Sequence, residues 1–381
     1  MPQTQAIPAN PASSRIPCRF CGLVQSVPEL RERESARCAR CAATLSRRAP
    51  RSVDRTLALA LAGLVLFIPA NAYAILTFSV VGRSNANQLL TGVGGLLENG
   101  AYIVGALVLL ASVLAPLGRL VLAVAILLPV RLGRPDLSSA RLQHLHDELA
   151  TWAMLDVYLL AIVVAYAKLT NFGQSSLQAG WYPLLGLILI FILLSFTYDP
   201  DALRRARATH ARAHARPIRR ARLQTTGALL VAAAIMFPLA YTLPVLQLVE
   251  YGEVQQDTVY GAVREFTEGG QYVLAILMFF ASILIPGIKL LLMGWITLTA
   301  HFRWKRMKPA RFATYRVVES IGRWSFIDLF VVSILIALAE LGVFASAQPG
   351  PGLVFFAGVI VLTMLAALSF DPRLIWNERE P

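Results

Sequence analysis

Cysteine and charge are both scarce in this chain, and their distribution restricts the class of protein. The 381 residues contain four cysteines, so no redox-active cysteine lies beyond position 41. Charged residues make up 15% of the chain, whereas 56% of it is hydrophobic and the mean hydropathy is +0.60. This composition lies outside the range of ordinary soluble domains. It predicts an all-α protein that crosses a membrane several times.

Sequence motifs typical of enzymes and of nucleotide-driven transport are absent. The chain has no GxxxxGK[ST] loop for nucleotide phosphates, no HExxH motif and no paired histidines at haem spacing within an apolar segment. We therefore do not expect an enzyme, including a membrane oxidoreductase. Driven transport would need the proton gradient acting on Asp156 or Asp328, or a separate ATPase. The first residues also do not have the charged start and apolar centre of a signal peptide.

The formal net charge of +13 raises the question of nucleic-acid binding. The cations, however, lie between apolar segments rather than on one face of a basic domain, so we expect no nucleic-acid partner. By the positive-inside rule, these basic segments mark the cytoplasmic side of the membrane. Both termini are predicted to be cytoplasmic. The basic segments are Arg47–Arg55, Arg131–Arg141, Arg204–Arg222 and His301–Arg316.

The apolar part of the chain contains an internal repeat. Trp, Asp and a more distant charged residue recur at identical spacing, with Lys168 in the first copy and Glu340 in the second. Internal repeats are typical of transporters whose binding site lies between the halves. Four pairs of segments match in the same order: Glu98–Tyr102 with Glu268–Tyr272, Ala111–Leu120 with Ala281–Leu290, Trp152–Tyr158 with Trp324–Phe330, and Ser195–Pro200 with Ser369–Pro372.

Each repeat contains four apolar segments, which predicts two tandem four-helix modules and eight spanning helices. A span needs about 20 residues to cross the hydrocarbon layer. Pro69, Pro116 and Pro286 predict helix kinks. The predicted spans are Thr56–Phe78, Ala101–Val130, Thr151–Leu169 and Tyr182–Thr197 in the first module, and Thr225–Val249, Gln271–Ala300, Trp324–Gly342 and Leu353–Leu368 in the second.

Composition also predicts the domain boundaries. The linker between the modules is basic and has no cysteine, although it occupies the place that the cysteine-rich segment occupies before the first module. His210 and His214, like His144 and His146, have spacings that suggest a metal, but a basic or amphipathic helix at the membrane surface explains each pair better. The predicted regions are a disordered N-terminus (1–14), a four-cysteine ribbon (15–50), module one (51–198), the linker (199–222), module two (223–372) and a cytoplasmic tail (373–381).

The four cysteines form two CxxC pairs, Cys18 with Cys21 and Cys38 with Cys41. This spacing is typical of a zinc ribbon, in which two tight turns direct four thiolates at one tetrahedral ion. It predicts a single structural zinc on the cytoplasmic side. Two disulfides or an iron site of the same geometry are the alternatives, although a cytosolic location argues against disulfides. Four thiolates leave no open position for catalysis by the ion.

Charged residues within the apolar segments are the candidates for a transport pathway. Such residues normally face a partner or a water-filled cavity. They either pair between helices and stabilise the bundle, or line a lipid head-group site. Ser325 and Asn71 add hydrogen-bonding groups, whereas Lys168 and Glu340 lie near segment ends where they are able to snorkel. The six charged candidates, with the strongest first, are Lys289, Asp328, Arg119, Asp156, Lys168 and Glu340.

Together these motifs resemble the paraquat-inducible protein A (PqiA) family. The most specific parts are Pro69–Asn71 in the first apolar segment and the terminal Ser369–Trp376. The resemblance implies an inner-membrane protein that loads or receives phospholipids for a periplasmic tunnel of mammalian-cell-entry (MCE) proteins between the two bacterial membranes. The alternatives are a structural scaffold for an MCE partner and a small-solute transporter.

Overall fold

The computed structural model describes residues 14–376, with gaps at 19, 28–33, 48–51, 81–82, 135–138, 171–172, 199–220, 251–252, 303–307 and 339–344. Helices α1 to α12 span Ser52–Ala72, Thr91–Glu98, Tyr102–Arg131, Ala140–Trp152, Leu155–Leu169, Trp181–Thr197, Ala221–Thr242, Val259–Glu268, Tyr272–His301, Lys308–Ile321, Ile327–Leu338 and Gly352–Ser369. Strands β1 to β10 span Ser14–Pro17, Val24–Val27, Ser35–Arg37, Thr44–Arg47, Leu76–Val80, Arg83–Asn87, Gln174–Leu177, Leu246–Glu250, Glu253–Asp257 and Ala345–Pro349. A 3₁₀ turn, Gly322–Phe326, joins α10 to α11.

Within these described ranges, seven helical segments are long and apolar enough to cross a membrane. They are α1, α3, α4 with α5, α7, α9, α10 with α11, and α12. Helix α6 is equally apolar but has 17 residues, a length of about 26 Å at 1.5 Å per residue. The protein is a mostly helical, multi-pass membrane protein, in which the predicted span Tyr182–Thr197 corresponds to this shorter helix.

The order of elements occurs twice along the chain. A first helix is followed by a hairpin, a short helix, a long helix, two helices in series, a strand and a final helix; this order runs from α1 to α6 and again from α7 to α12. The predicted spans Thr56–Phe78 and Thr225–Val249 are too long. Both helices end earlier, at Ala72 and Thr242, because the rest of each apolar run pairs as a strand, a difference that hydrophobicity alone does not reveal.

Each module carries a three-stranded antiparallel sheet, ordered β6-β5-β7 in the first and β9-β8-β10 in the second. The strand after the third span returns to the hairpin, so that Leu76 lies opposite both Asn87 and Leu177.

Close backbone contact positions α12, the last helix of the second module. The N–H of Gly352 donates to the carbonyl of Pro244 at 2.8 Å, and a Cβ there would lie 2.5 Å from the carbonyl oxygen of Leu243.

Helices α5 and α11 pack against each other at the centre of the molecule. Tyr158 of α5 and Phe330 of α11 meet edge to face with ring centroids 5.2 Å apart. Just before these helices, Trp152 at the end of α4 and Phe326 of the 3₁₀ turn meet in the same way at 6.4 Å. Helix α11 also contacts α2 of the first module and is buried from Ile327 to Ile336. It is therefore a central helix of the contact between the two modules.

Candidate functional site

The four cysteines converge on one point. Their Sγ atoms all lie within 4.8 Å of one another, with Cys18 and Cys41 3.6 Å apart and Cys21 and Cys38 3.4 Å apart. A disulfide requires about 2.05 Å between sulfur atoms, so the cysteines are free thiols. Tetrahedral zinc with bonds of about 2.3 Å separates its sulfur ligands by about 3.8 Å. The observed arrangement fits such an ion.

Two nearly identical turns produce this arrangement. The N–H of Gly22 donates to the carbonyl of Cys18, and the N–H of Ala42 donates to the carbonyl of Cys38, at 2.9 and 2.8 Å. Burial raises the pKa of the Cys38 thiol, but hydrogen bonds from backbone N–H groups outweigh it and lower the pKa to about 6. Burial raises the pKa of Cys41 to about 11. A bound divalent cation would offset part of the charge of four thiolates and so favour their deprotonated form.

The ribbon contacts the second module. The ring of Phe20 lies edge to face on Phe312 of α10, with centroids 5.6 Å apart, and Phe312 in turn packs against Trp376 at 6.1 Å. Trp376 also packs against the buried cysteines. The terminal Ser369–Trp376 segment therefore holds the ribbon against α10.

Lys289 lies inside the second module on α9. Its side chain is 3% exposed, and its Nζ atom has no hydrogen-bond partner within the described part of the chain. A Cβ added to Gly322 would lie 3.1 Å from that nitrogen, so the ammonium group rests against the 3₁₀ turn. An unpaired ammonium group buried in this way is costly unless water or a ligand reaches it.

Asp328 begins α11 and is 6% exposed. Its Oδ1 accepts a hydrogen bond of 2.6 Å from the Ser282 hydroxyl, whereas Oδ2 has no partner among the described residues. Ser282 lies in a π-helical turn, Phe279–Leu284, just before Pro286. Because proline has no N–H, the Ser282 carbonyl is left free for the hydroxyl of Tyr241 on α7. The proline thus links three helices around the carboxylate.

No ion pair joins Lys289 to Asp328 in the part of the chain that the structure describes. Of the two hypotheses for the buried charges, direct pairing between helices does not occur at this site. Ser325, one turn before Asp328, is also buried with its hydroxyl unpartnered among described residues. Lys289, Asp328 and Ser325 therefore each have one polar atom without a partner among the described residues, all in the second module.

Lys168 connects the two modules. Its Nζ lies 3.3 Å from Oε2 of Glu265 on α8, and the lysine is buried rather than extended into solvent. Lys168 and Asp328 line the same cavity of about 50 Å³, together with Val164, Met278 and Val332. A single water needs about 10–15 Å³ of such free space. The cavity therefore holds a few waters and is too small for a lipid head group.

Arg119 and Asp156 lie in a different environment from their repeat partners Lys289 and Asp328. They line an open cleft of about 240 Å³ that also includes Arg323. The Nη2 of Arg119 donates to the Ser195 hydroxyl at 3.2 Å, and its guanidinium lies over the ring of Phe191 at 5.4 Å. Asp156 is exposed. The two residues of the first module are therefore more exposed than their equivalents Lys289 and Asp328 in the second.

The remaining predicted site residues lie elsewhere. Asn71 donates to the carbonyl of Phe67 in its own helix at 2.9 Å, next to Pro69 in the last turn of α1. In α3, Pro116 follows a π-helical turn, Leu110–Leu114, as Pro286 does in α9. Glu340 and the basic linker, including His210 and His214, lie outside the described residues.

Sequence reasoning missed Ser282, Glu265 and Arg323 as site residues. Ser282 lies within the repeated segment that carries Pro286 and Lys289, so the match of Ser112 with Ser282 was a usable signal. Arg323 has no counterpart in the first module, where Thr151 occupies the equivalent place, and Glu265 lies in a short helix that resembled a loop. Neither Arg323 nor Glu265 had a sequence signal that predicted its place in the site.

The profile of the family described as "Paraquat-inducible protein A" matches residues 53–207 and 223–380. These two ranges cover most of the chain and coincide with the two structural repeats. The chain belongs to the paraquat-inducible protein A family. No solved structure matches it.

Named relatives match the chain over nearly its whole length. "Intermembrane transport protein PqiA" of Escherichia coli (strain K12) is 28% identical over 408 residues, covering 97% of each chain. "Lipophilic envelope-spanning tunnel protein A" of the same organism is 29% identical, covering 95% of this chain and 91% of the relative. "Probable intermembrane transport protein" of Haemophilus influenzae is 25% identical, covering 99% of both. The match therefore includes the ribbon as well as the two modules.

Proposed function

We propose that this protein is an inner-membrane component of intermembrane lipid transport, which loads or receives phospholipids for a periplasmic tunnel of MCE-domain proteins. The names of its relatives describe intermembrane transport and an envelope-spanning tunnel, and none of them describes an enzyme. The phospholipid and the MCE partner are part of the proposal. So are a bacterial inner-membrane location and cytoplasmic termini, which the basic segments favour.

The observation that carries the proposal is the set of buried polar groups in module two. Lys289, Asp328 and Ser325 are buried in an apolar bundle with polar atoms that have no partner within the described residues. Groups of this kind are costly in a membrane and mark substrate pathways rather than simple packing. In this proposal Lys289 binds the phosphate of the lipid. Asp328 gains or loses a proton as the pathway opens.

The small cavity beside Asp328 fits one state of a transport cycle. With about 50 Å³ beside Asp328, no head group fits until α5 and α11 move apart. The Lys168–Glu265 ion pair joins the modules beside this cavity, which Lys168 also lines. We propose that lipid passage separates these helices, with Arg119 and Asp156 on the route into the interior.

The ribbon is proposed to bind one structural zinc ion. The thiol spacing fits a tetrahedral Cys₄ site, and four sulfur ligands complete the coordination shell. The ion would fix the two turns, and with them the aromatic surface that contacts α10. We assign it no role in moving the lipid. The domain boundaries at 15–50, 51–198, 199–222 and 223–372 remain part of the proposal.

Photo-crosslinking in native membranes tests the proposed function. A photoreactive residue at Leu290, next to Lys289, should capture phospholipid that mass spectrometry identifies. Capture should fall in the Lys289→Ala and Asp328→Ala backgrounds. The matched control is a probe at Leu291, which is 71% exposed and should capture bulk lipid regardless of either side chain.

The same experiment discriminates between the candidate functions. Capture of a polar metabolite at Leu290 would indicate a small-solute transporter. No capture above background, with Leu291 still labelled, would indicate a scaffold for an MCE partner. Either result contradicts the proposed lipid pathway.

A further inference from the structure

A cleft at the junction of the modules brings two arginines together. Arg119 comes from α3 of the first module, and Arg323 comes from the 3₁₀ turn before α11 of the second. Asp156, at the start of α5, lies in the same cleft. The remaining wall is mostly apolar and includes Leu155, Ile188, Phe191, Ile192 and Phe196. The cleft thus combines positive charge with a surface suited to an acyl chain.

Neither guanidinium group is neutralised by a carboxylate within ion-pairing distance in the described part of the chain. Arg119 has the Ser195 hydroxyl and the Phe191 ring as neighbours, and its Nε atom is buried with no hydrogen-bond partner among the described residues. Two cations that face one space in a low-dielectric setting repel each other. An anion between them would remove this repulsion and satisfy the free donors.

The position of Arg119 along α3 matches the level of a lipid phosphate. Tyr102 is an exposed aromatic residue at the start of the helix, as is common at a membrane interface. Arg119 lies about 25 Å further along at 1.5 Å per residue, whereas the hydrocarbon layer is about 30 Å thick. The arginine is therefore close to the opposite head-group layer, with an open cleft beside it.

We propose that Arg119 and Arg323 bind the phosphate diester of a phospholipid in this cleft before the lipid reaches Lys289. The inference rests on the proposed function and adds a separate entry site that spans both modules. The two guanidinium groups hold the phosphate, and an acyl chain lies against Ile192 and Phe196. Asp156 weakens the site by repulsion, which allows the lipid to leave it.

A photoreactive benzoylphenylalanine at Phe196 tests the site in the full-length protein reconstituted in nanodiscs. The probe lipids are phosphatidylglycerol and, as a match without phosphate, diacylglycerol. Arg119→Gln or Arg323→Gln should each lower capture of phosphatidylglycerol by about tenfold, the change expected on losing a charge-assisted hydrogen bond. Asp156→Asn should raise capture, because it removes the only acid of the cleft among the described residues.

Arg131→Gln is the matched control. It removes the same charge from the same helix, but Arg131 is exposed and pairs with Asp54 at 3.2 Å, outside the cleft. Arg323→Lys keeps the charge and should retain most of the capture, which separates loss of the site from misfolding. Equal capture of the two probe lipids, or an equal loss in Arg131→Gln, would overturn the inference.

Competition identifies the source of the phosphate. Millimolar inorganic phosphate should leave phosphatidylglycerol capture unchanged, and abolition of capture would instead assign the cleft to a soluble anion.

Capture at Phe196 can also be compared with capture at the interior site. If the arginine variants leave capture at Phe196 unchanged while the Leu290 probe still captures lipid, the entry site alone is contradicted. If Phe196 captures lipid but Leu290 does not, the interior pathway is contradicted instead.

Discussion

The ammonium group of Lys289 rests against the α-carbon of Gly322, where an added Cβ would lie 3.1 Å from Nζ. The following residue, Arg323, lines the cleft between the modules that Arg119 also lines. The 3₁₀ turn therefore lies between the buried Lys289 of the second module and the cleft in which Arg323 meets Arg119 of the first. A movement of this turn would act on both groups at once.

Gly322→Ala should reduce lipid transfer with little loss of stability. The new methyl group displaces the flexible end of Lys289 by a few tenths of an ångström rather than moving backbone. We expect weaker capture from the Leu290 probe and an unchanged melting temperature. Gly294→Ala on α9 is the control, since a Cβ there meets nothing within 4 Å. Equal effects of the two substitutions would argue against a specific contact with Lys289.

Lys289→Ala and Asp328→Ala should each abolish transport while the protein still inserts into the membrane. Removing one member of a buried ion pair costs about 3–5 kcal/mol. No such pair joins these residues, so neither substitution leaves an opposite charge stranded in the bundle. Growth complementation and thermal unfolding in detergent measure the two effects separately. Preserved transport in both variants would contradict the head-group site, and a large fall in melting temperature would support a structural role instead.

The sequence predicted the interior charges better than their surroundings. The repeat placed Lys289 and Asp328 at equivalent positions to Arg119 and Asp156, and proline spacing pointed to the same turns of α3 and α9. The different burial of the two sets depends on α5 and α11 packing between the modules, which no local pattern encodes. For the same reason the contact of Lys168 with Glu265, 97 residues apart in the chain, was not predicted.

Glu265→Gln should destabilise the contact between the modules by about 1–2 kcal/mol, a discounted value because the glutamate is partly exposed. The exchange Lys168→Glu with Glu265→Lys should recover part of that loss. Glu268→Gln on the same helix is the control: its partner Arg264 lies at the surface, 2.7 Å away, so the melting temperature should not change. If both single substitutions behave alike, the ion pair does not join the modules.

Cys18→Ser should lower protein abundance and remove bound zinc. Metal binding is coupled to folding in so small a domain, and three thiolates with a hydroxyl bind zinc less well than four thiolates. Zinc content of the purified protein and its level in membranes provide the measurements. The prediction fails if the variant retains one zinc per chain.

Trp376→Ala should release the ribbon from the second module and leave its metal in place. The indole packs on both Phe312 and the buried cysteines but supplies no sulfur ligand. Hydrogen exchange over residues 34–47 should accelerate while zinc stays stoichiometric, the reverse of the outcome for Cys18→Ser. Loss of zinc in Trp376→Ala would show that docking of the ribbon and metal binding depend on each other. Retained zinc with faster exchange would show instead that the terminal segment acts as a separate clamp on a prefolded ribbon.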